Sequence, residues 1–151
     1  MKLSQIINVA YLEAKKAHEK NEVPVAAVVF SENKIISKAH NLVISSKDPL
    51  AHAEILALKK ASKKLNTPYL NNLKIYSTLE PCIFCSFAIS KYLINSLYFG
   101  LYDSNNCEIN EGTKIFSKNF KGHKPDIYGG IGEERFSHLF DSFFEKLRKK
   151  S

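Results

Sequence analysis

His52-Ala53-Glu54 and Pro81-Cys82-Ile83-Phe84-Cys85 constrain this chain more than any other feature, because their candidate metal donors are far apart in sequence. Only a fold that returns on itself can unite one imidazole with two thiolates from these segments. Such a set suits zinc, and a tetrahedral zinc held by three protein ligands keeps its fourth position for water, unlike a closed structural site. Glu54, two residues beyond the histidine, fits a proton shuttle better than a fourth ligand.

Periodicity supplies a frame that could bring the segments together. Leu3, Ile6, Ile7, Ala10, Ala14 and Ala17 recur at helical spacing, so a first amphipathic helix is expected from about Ser4 to Lys20. Val25 to Phe30 is a continuous apolar run of the buried-strand kind, and Ser31-Glu32-Asn33 turns it into a second strand over Lys34 to Ala39, giving a hairpin. After a polar loop, Asp48-Pro49 precedes a helix expected over Ala51 to Leu65, with His52 and Glu54 in its first turn. Leu73 to Thr78 reads as a third strand that delivers Leu79-Glu80-Pro81 into another helix start, so that Cys82 and Cys85 share one face of its opening turn. Ser96 to Gly100 and a weaker segment, Asp126 to Tyr128, read as further strands. Phe136, Leu139, Phe140, Phe143, Phe144 and Leu147 form a closing helical stripe suited to core packing.

Ligands at two helix N-termini have a chemical consequence. Helix dipoles and free backbone N–H groups favour thiolate over thiol. Two thiolates on Zn²⁺ leave a formally neutral centre, which can still lower the pKa of a bound water to about 7. Other readings stay open at this level. The C-x-x-C could be a redox pair, although Pro81 fits that motif poorly. A structural zinc could recruit Cys107, His123 or His138, and Cys107 alone could be an incidental thiol.

The 151 residues suit one domain, 1–151, with a real core. The first twenty residues mix charged with apolar side chains, so neither an export signal nor a membrane span is expected, and a cytoplasmic location is. Three cysteines in such a chain favour metal or redox chemistry over disulfides. The net charge of +7 would attract a polyanion, with local density at Lys63-Lys64, Lys118, Lys121, Lys124 and Lys146 to Lys150. Only Arg135 and Arg148 are arginine, however, so lysine abundance could equally reflect a solvated surface.

Taken together, Asn21 to Val28, His40-Asn41, Asp48 to Ile55, Ser77 to Cys85 and Phe99 to Asp103 resemble the bacterial tRNA-specific adenosine deaminases. These belong to the zinc-dependent cytidine and deoxycytidylate deaminase superfamily, for which H-x-E…P-C-x-x-C is a known signature. The resemblance implies a cytidine-deaminase-like three-layer α/β fold, with a mixed five-stranded sheet flanked by helices, and a homodimer. It implies hydrolysis of the wobble adenosine of a tRNA anticodon stem-loop to inosine, with release of ammonia. It makes His52, Cys82 and Cys85 the ligands of one zinc per subunit, Glu54 the proton shuttle, and Asn41, Ala53 and Asp103 substrate contacts. Departures from the family pattern fall at Ala26, usually glycine, at Phe84, usually methionine, and at Ser86-Phe87, usually small. Ser104 to Glu108 also lacks the glycine-containing pattern expected there. Two alternatives remain: a deaminase of a free guanine- or cytosine-type base or nucleotide, and a non-enzymatic zinc or RNA-binding module.

Overall fold

The computed structural model describes residues 1–103, 112–117 and 119–150. Cys107, Lys118 and the segment Ser104 to Glu108 lie outside them. The first helix, α1 (Leu3–Glu19), buries Ile6, Ala10, Ala14 and Ala17 along one stripe. It ends where Asn21 takes a left-handed φ of 63° and the Glu22 N–H donates to the Ala17 carbonyl at 2.9 Å, a helix-closing arrangement.

The chain then enters β1 (Ala26–Phe30), which pairs antiparallel with β2 (Ile35–His40), so the expected hairpin forms. A short helix, α2 (Val43–Ser46), and the longer α3 (Ala53–Leu65) lead to β3 (Lys74–Leu79). Helix α4 (Ile83–Lys91) carries the chain to β4 (Ser96–Leu101), and β5 (Asp126–Tyr128) and α5 (Glu133–Lys150) follow. The sheet order is β2-β1-β3-β4-β5. Strand β3 runs antiparallel to β1 and parallel to β4, and β5 is parallel to β4, so the sheet is mixed.

Alternation along β1 divides the core into two layers. Ala27 and Val29 join Ala57, Leu58, Ile75 and Phe99 beneath α3 and α4. Val28 and Phe30 join Ile6, Ala10, Tyr76 and Phe136 beneath α1 and α5. The expected three-layer α/β architecture is thus present. At Gly100, β4 and α5 pack tightly: a Cβ there would lie 2.8 Å from the Thr78 carbonyl and 2.9 Å from the Phe136 ring. In α5, Phe136 and Phe143 are buried as expected, whereas Phe144 and Leu147 face solvent.

Two local expectations need correction. The polar stretch after β2 contains α2, which has no buried residue and therefore no apolar period to reveal it. The helix expected from Ala51 begins at Ala53. Ala51 is held outside it because its N–H donates to Asp48 and its carbonyl accepts from Leu42.

Candidate metal centre and active-site pocket

His52 and Cys82 occupy equivalent places in the fold. Each is the extended residue that caps a helix on the same side of the sheet, His52 at α3 and Cys82 at α4. Cys85 lies one turn inside α4, and its backbone N–H donates to the Cys82 sulfur at 3.4 Å. The His52 Nδ1 sits 3.7 Å from Cys82 Sγ and 3.4 Å from Cys85 Sγ. With Zn–N and Zn–S bonds of ordinary length, a tetrahedron needs N···S edges of about 3.6 Å. The two observed separations bracket that edge, so these donors fit a zinc ion. His123 and His138 do not join them, and among the described residues no other three His, Cys, Asp or Glu side chains converge in this way. A four-ligand structural site built on either of those histidines is therefore set aside.

Charge is distributed unequally over the centre. A hydrogen bond from Cys85 holds Cys82 down at about 4, and a further bond to His52 adds to this. The same Cys82–Cys85 bond, reinforced by burial, pushes Cys85 well above the usual thiol range. Thiolate is thus favoured at Cys82 ahead of Cys85, which lies deeper and beside its partner's charge. A dication between the sulfurs would deprotonate both. His52 is raised by its bond to Cys82.

Glu54 enters the same space from the first turn of α3. Burial pushes its carboxyl up to about 7. Its Oε1 is the one fully enclosed side-chain oxygen or nitrogen among the described residues that lacks a hydrogen-bond partner. An enclosed oxygen left unpaired costs free energy unless a ligand or water uses it.

His52, Cys82 and Glu54 line a cavity of about 330 Å³, at the small end for ligand sites, and Cys85 is buried beside it. Asn41, Ala53 and Asp103, the expected substrate contacts, all line it. Apolar walls come from Val23, Val25 and Leu79. Sequence reasoning missed these valines and also missed Glu80, another lining residue. One Glu80 oxygen accepts from the Asp103 N–H at 3.3 Å and the other accepts from the Thr113 hydroxyl, so Glu80 ties the end of β4 to the 3-10 turn Thr113–Phe116. The Leu79-Glu80-Pro81 spacing was a usable signal for it. Phe84 and Phe87 do not enter the cavity; they are 45% and 49% exposed on α4, with Phe87 edge-on to Phe120 at 5.8 Å. Ala26 is fully buried, and its N–H donates to the Thr78 hydroxyl at 3.1 Å.

Comparison with known proteins agrees with this geometry. The family model described as the cytidine and deoxycytidylate deaminase zinc-binding region matches residues 1–101. A tRNA-specific adenosine deaminase of Aquifex aeolicus is 43% identical over 142 residues, covering 94% of this chain and 93% of that protein. The structure of a tRNA:A34 deaminase, which edits A to I at the wobble position of transfer RNA, superposes with a TM-score of 0.83 at 33% identity, covering 90% of this chain and 99% of the other. A guanine deaminase from Nitrosomonas europaea shares the fold, with a TM-score of 0.77 at 22% identity, covering 90% of this chain and 81% of that one.

Proposed function

The chain belongs to the cytidine and deoxycytidylate deaminase family, and on that premise we propose that it hydrolyses the wobble adenosine of a tRNA anticodon loop to inosine, releasing ammonia. The observation that carries the reading is the buried, unpartnered Glu54 Oε1 in one cavity with His52 and Cys82, which converge with the buried Cys85. The relatives acting on tRNA supply the substrate class.

In this reading His52, Cys82 and Cys85 hold one zinc ion per chain. When bound, that ion supplies Lewis-acid activation of a water near neutral pH. Glu54 accepts a proton from the attacking water and delivers it to the purine ring nitrogen, and then helps the amino group leave as ammonia. An enclosed carboxylate with an unpaired oxygen suits a residue that must act first as base and then as acid. The bound base lies between the Val23 and Val25 side and the Leu79 side of the cavity, and Asn41, Ala53 and Asp103 contact it or its ribose. An anticodon loop is single-stranded, so extruding its base costs only a few kcal/mol. Lysines attract the backbone. The protein acts in the cytoplasm as one catalytic domain that forms a homodimer. Among the described residues no helix is long and apolar enough to cross a membrane.

The test is inosine formation by the zinc-loaded protein on an anticodon stem-loop with a wobble adenosine, beside Glu54→Ala and beside free adenine, guanine and cytosine. Conversion of the stem-loop, abolished by the substitution, is expected. Ammonia release from a free base with the stem-loop inert would replace the tRNA reading. Stem-loop turnover that survives Glu54→Ala would remove the assignment of Glu54.

A further inference from the structure

Helix α2 has four residues and no buried side chain, far too little to hold itself together in water. Its stability must come from outside, and the source is specific. The Asn41 Oδ1 accepts the Val43 N–H at 3.1 Å. The two carboxylate oxygens of Glu22 accept the Ile44 N–H at 3.0 Å and the Ser45 N–H at 2.7 Å. Three successive N–H groups at the start of α2 are thus satisfied by side chains, two of them by one residue lying twenty-odd positions upstream. Glu22 is completely buried. Although burial opposes its ionisation, the Ser45 and Ile44 amides hold its carboxyl below the usual range.

Glu22 is itself fixed. Its N–H closes α1 on the Ala17 carbonyl. The next residue, Val23, lines the cavity, as does Val25, whose carbonyl accepts the Asn41 N–H at 3.0 Å. Glu22 therefore clamps the segment before β1 to the segment after β2, and these two segments make one wall of the pocket. The polarity of Asn41 follows from the same bonds. A backbone N–H can only donate, so the Asn41 atom facing Val43 must be the carbonyl oxygen. The amide nitrogen stays outside this cap, and Asn41 lines the cavity.

We propose that Glu22 is a positioning residue for substrate selection: by anchoring α2 it locks the Asn41 amide so that Asn41 offers hydrogen-bond donors, and not its carbonyl, to an acceptor on the bound nucleoside. This inference rests on the reading of Asn41 as a substrate contact. A base or ribose presenting an acceptor at that wall is favoured, and one presenting only a donor is rejected.

A double-mutant cycle tests it. Asn41→Asp keeps the oxygen that caps α2 and removes the donors; Glu22→Gln keeps the volume of the clamp but removes its charge and one acceptor. Each variant is expected to lower kcat/KM about tenfold, as loss of a hydrogen bond to a charged group or of a substrate donor does. The double variant is expected to match the single variants, because a displaced Asn41 and a donorless one are the same defect. Thermal unfolding of all four proteins supplies the structural control: Glu22→Gln lowers Tm in both backgrounds, whereas Asn41→Asp alone leaves it in place. Losses that multiply to about a hundredfold would overturn the coupling while leaving Asn41 as a contact. Full activity of Glu22→Gln would overturn the role of Glu22. A silent Asn41→Asp would remove the Asn41 contact and this inference with it. If Glu22→Gln does not fold, Glu22→Asp, which keeps the charge and shortens the reach, enters the same cycle. The cycle is read on whichever substrate the wild-type protein deaminates, so an inert stem-loop would count against the tRNA reading while the free-base arm still decides the role of Glu22.

Discussion

Replacing Glu54 with glutamine should separate chemistry from stability in a way that a ligand substitution cannot. Glutamine keeps the shape of the side chain and cannot accept and return a proton, so kcat on the stem-loop is expected to fall between about a hundredfold and ten-thousandfold. Zinc content should stay the same, because the three converging donors are His52, Cys82 and Cys85. Stability should move the other way. Burial raises the carboxyl from 4.5 to about 7, which corresponds to about 3 kcal/mol between its two protonation states. The sign follows from proton linkage. Below the ordinary value both folded and unfolded chains carry the proton, and Glu54 contributes no penalty. Between 4.5 and about 7 the unfolded chain releases its proton first, so the folded state loses ground as pH rises, and above about 7 the penalty is complete. Glutamine never incurs it. In chelated protein, urea unfolding should show the variant and wild type nearly equal at about pH 4 and the variant more stable by roughly 3 kcal/mol at about pH 8. The assays are single-turnover inosine formation, zinc analysis and urea titration at both pH values. A fall in kcat of less than tenfold, loss of zinc, or a stability difference that does not change with pH would each refute the reasoning.

Cys85→Ser, which replaces the buried sulfur of the donor set, should abolish stoichiometric zinc binding and inosine formation together, as measured by zinc analysis beside the activity assay; retained zinc would show that Cys85 is not a ligand. Gly100→Ala should destabilise the protein by about 2 kcal/mol in urea unfolding, because its new Cβ would press on the Thr78 carbonyl and Phe136. Stem-loop affinity should fall linearly on a log–log plot against salt concentration, as expected for a lysine-rich protein with a net charge of +7, whereas turnover of a neutral free base should not respond.

The convergence of His52, Cys82 and Cys85 was legible because its chemistry is local. His52 and Cys82 announce themselves by residue type and by their position before apolar helical runs, and the structure shifts the first of those helix starts only from Ala51 to Ala53. Strand β1 was legible from its continuous apolar run, and even the short β5 lies where it was expected. What escaped depends on partners distant in sequence. Helix α2 has no apolar face, and the side chain that supports it, Glu22, belongs to a segment that reads as a turn. Glu80 looks like part of a helix lead-in until Asp103 and Thr113 come to its carboxylate. Phe87 interrupts a run of small residues near the cysteines, yet helical geometry turns it outward toward Phe120.

The clamp at Glu22 also divides the rim of the sheet into parts that can change separately. The candidate metal donors ride on the starts of α3 and α4, whereas Val23, Val25 and Asn41 of the cavity lining come from the loops before β1 and after β2. Substitutions in those loops can reshape what the cavity admits without disturbing the donors beneath it. A library confined to residues 22–25 and 41–46 would therefore vary the wall of the cavity while the sequence at the starts of α3 and α4 stays fixed.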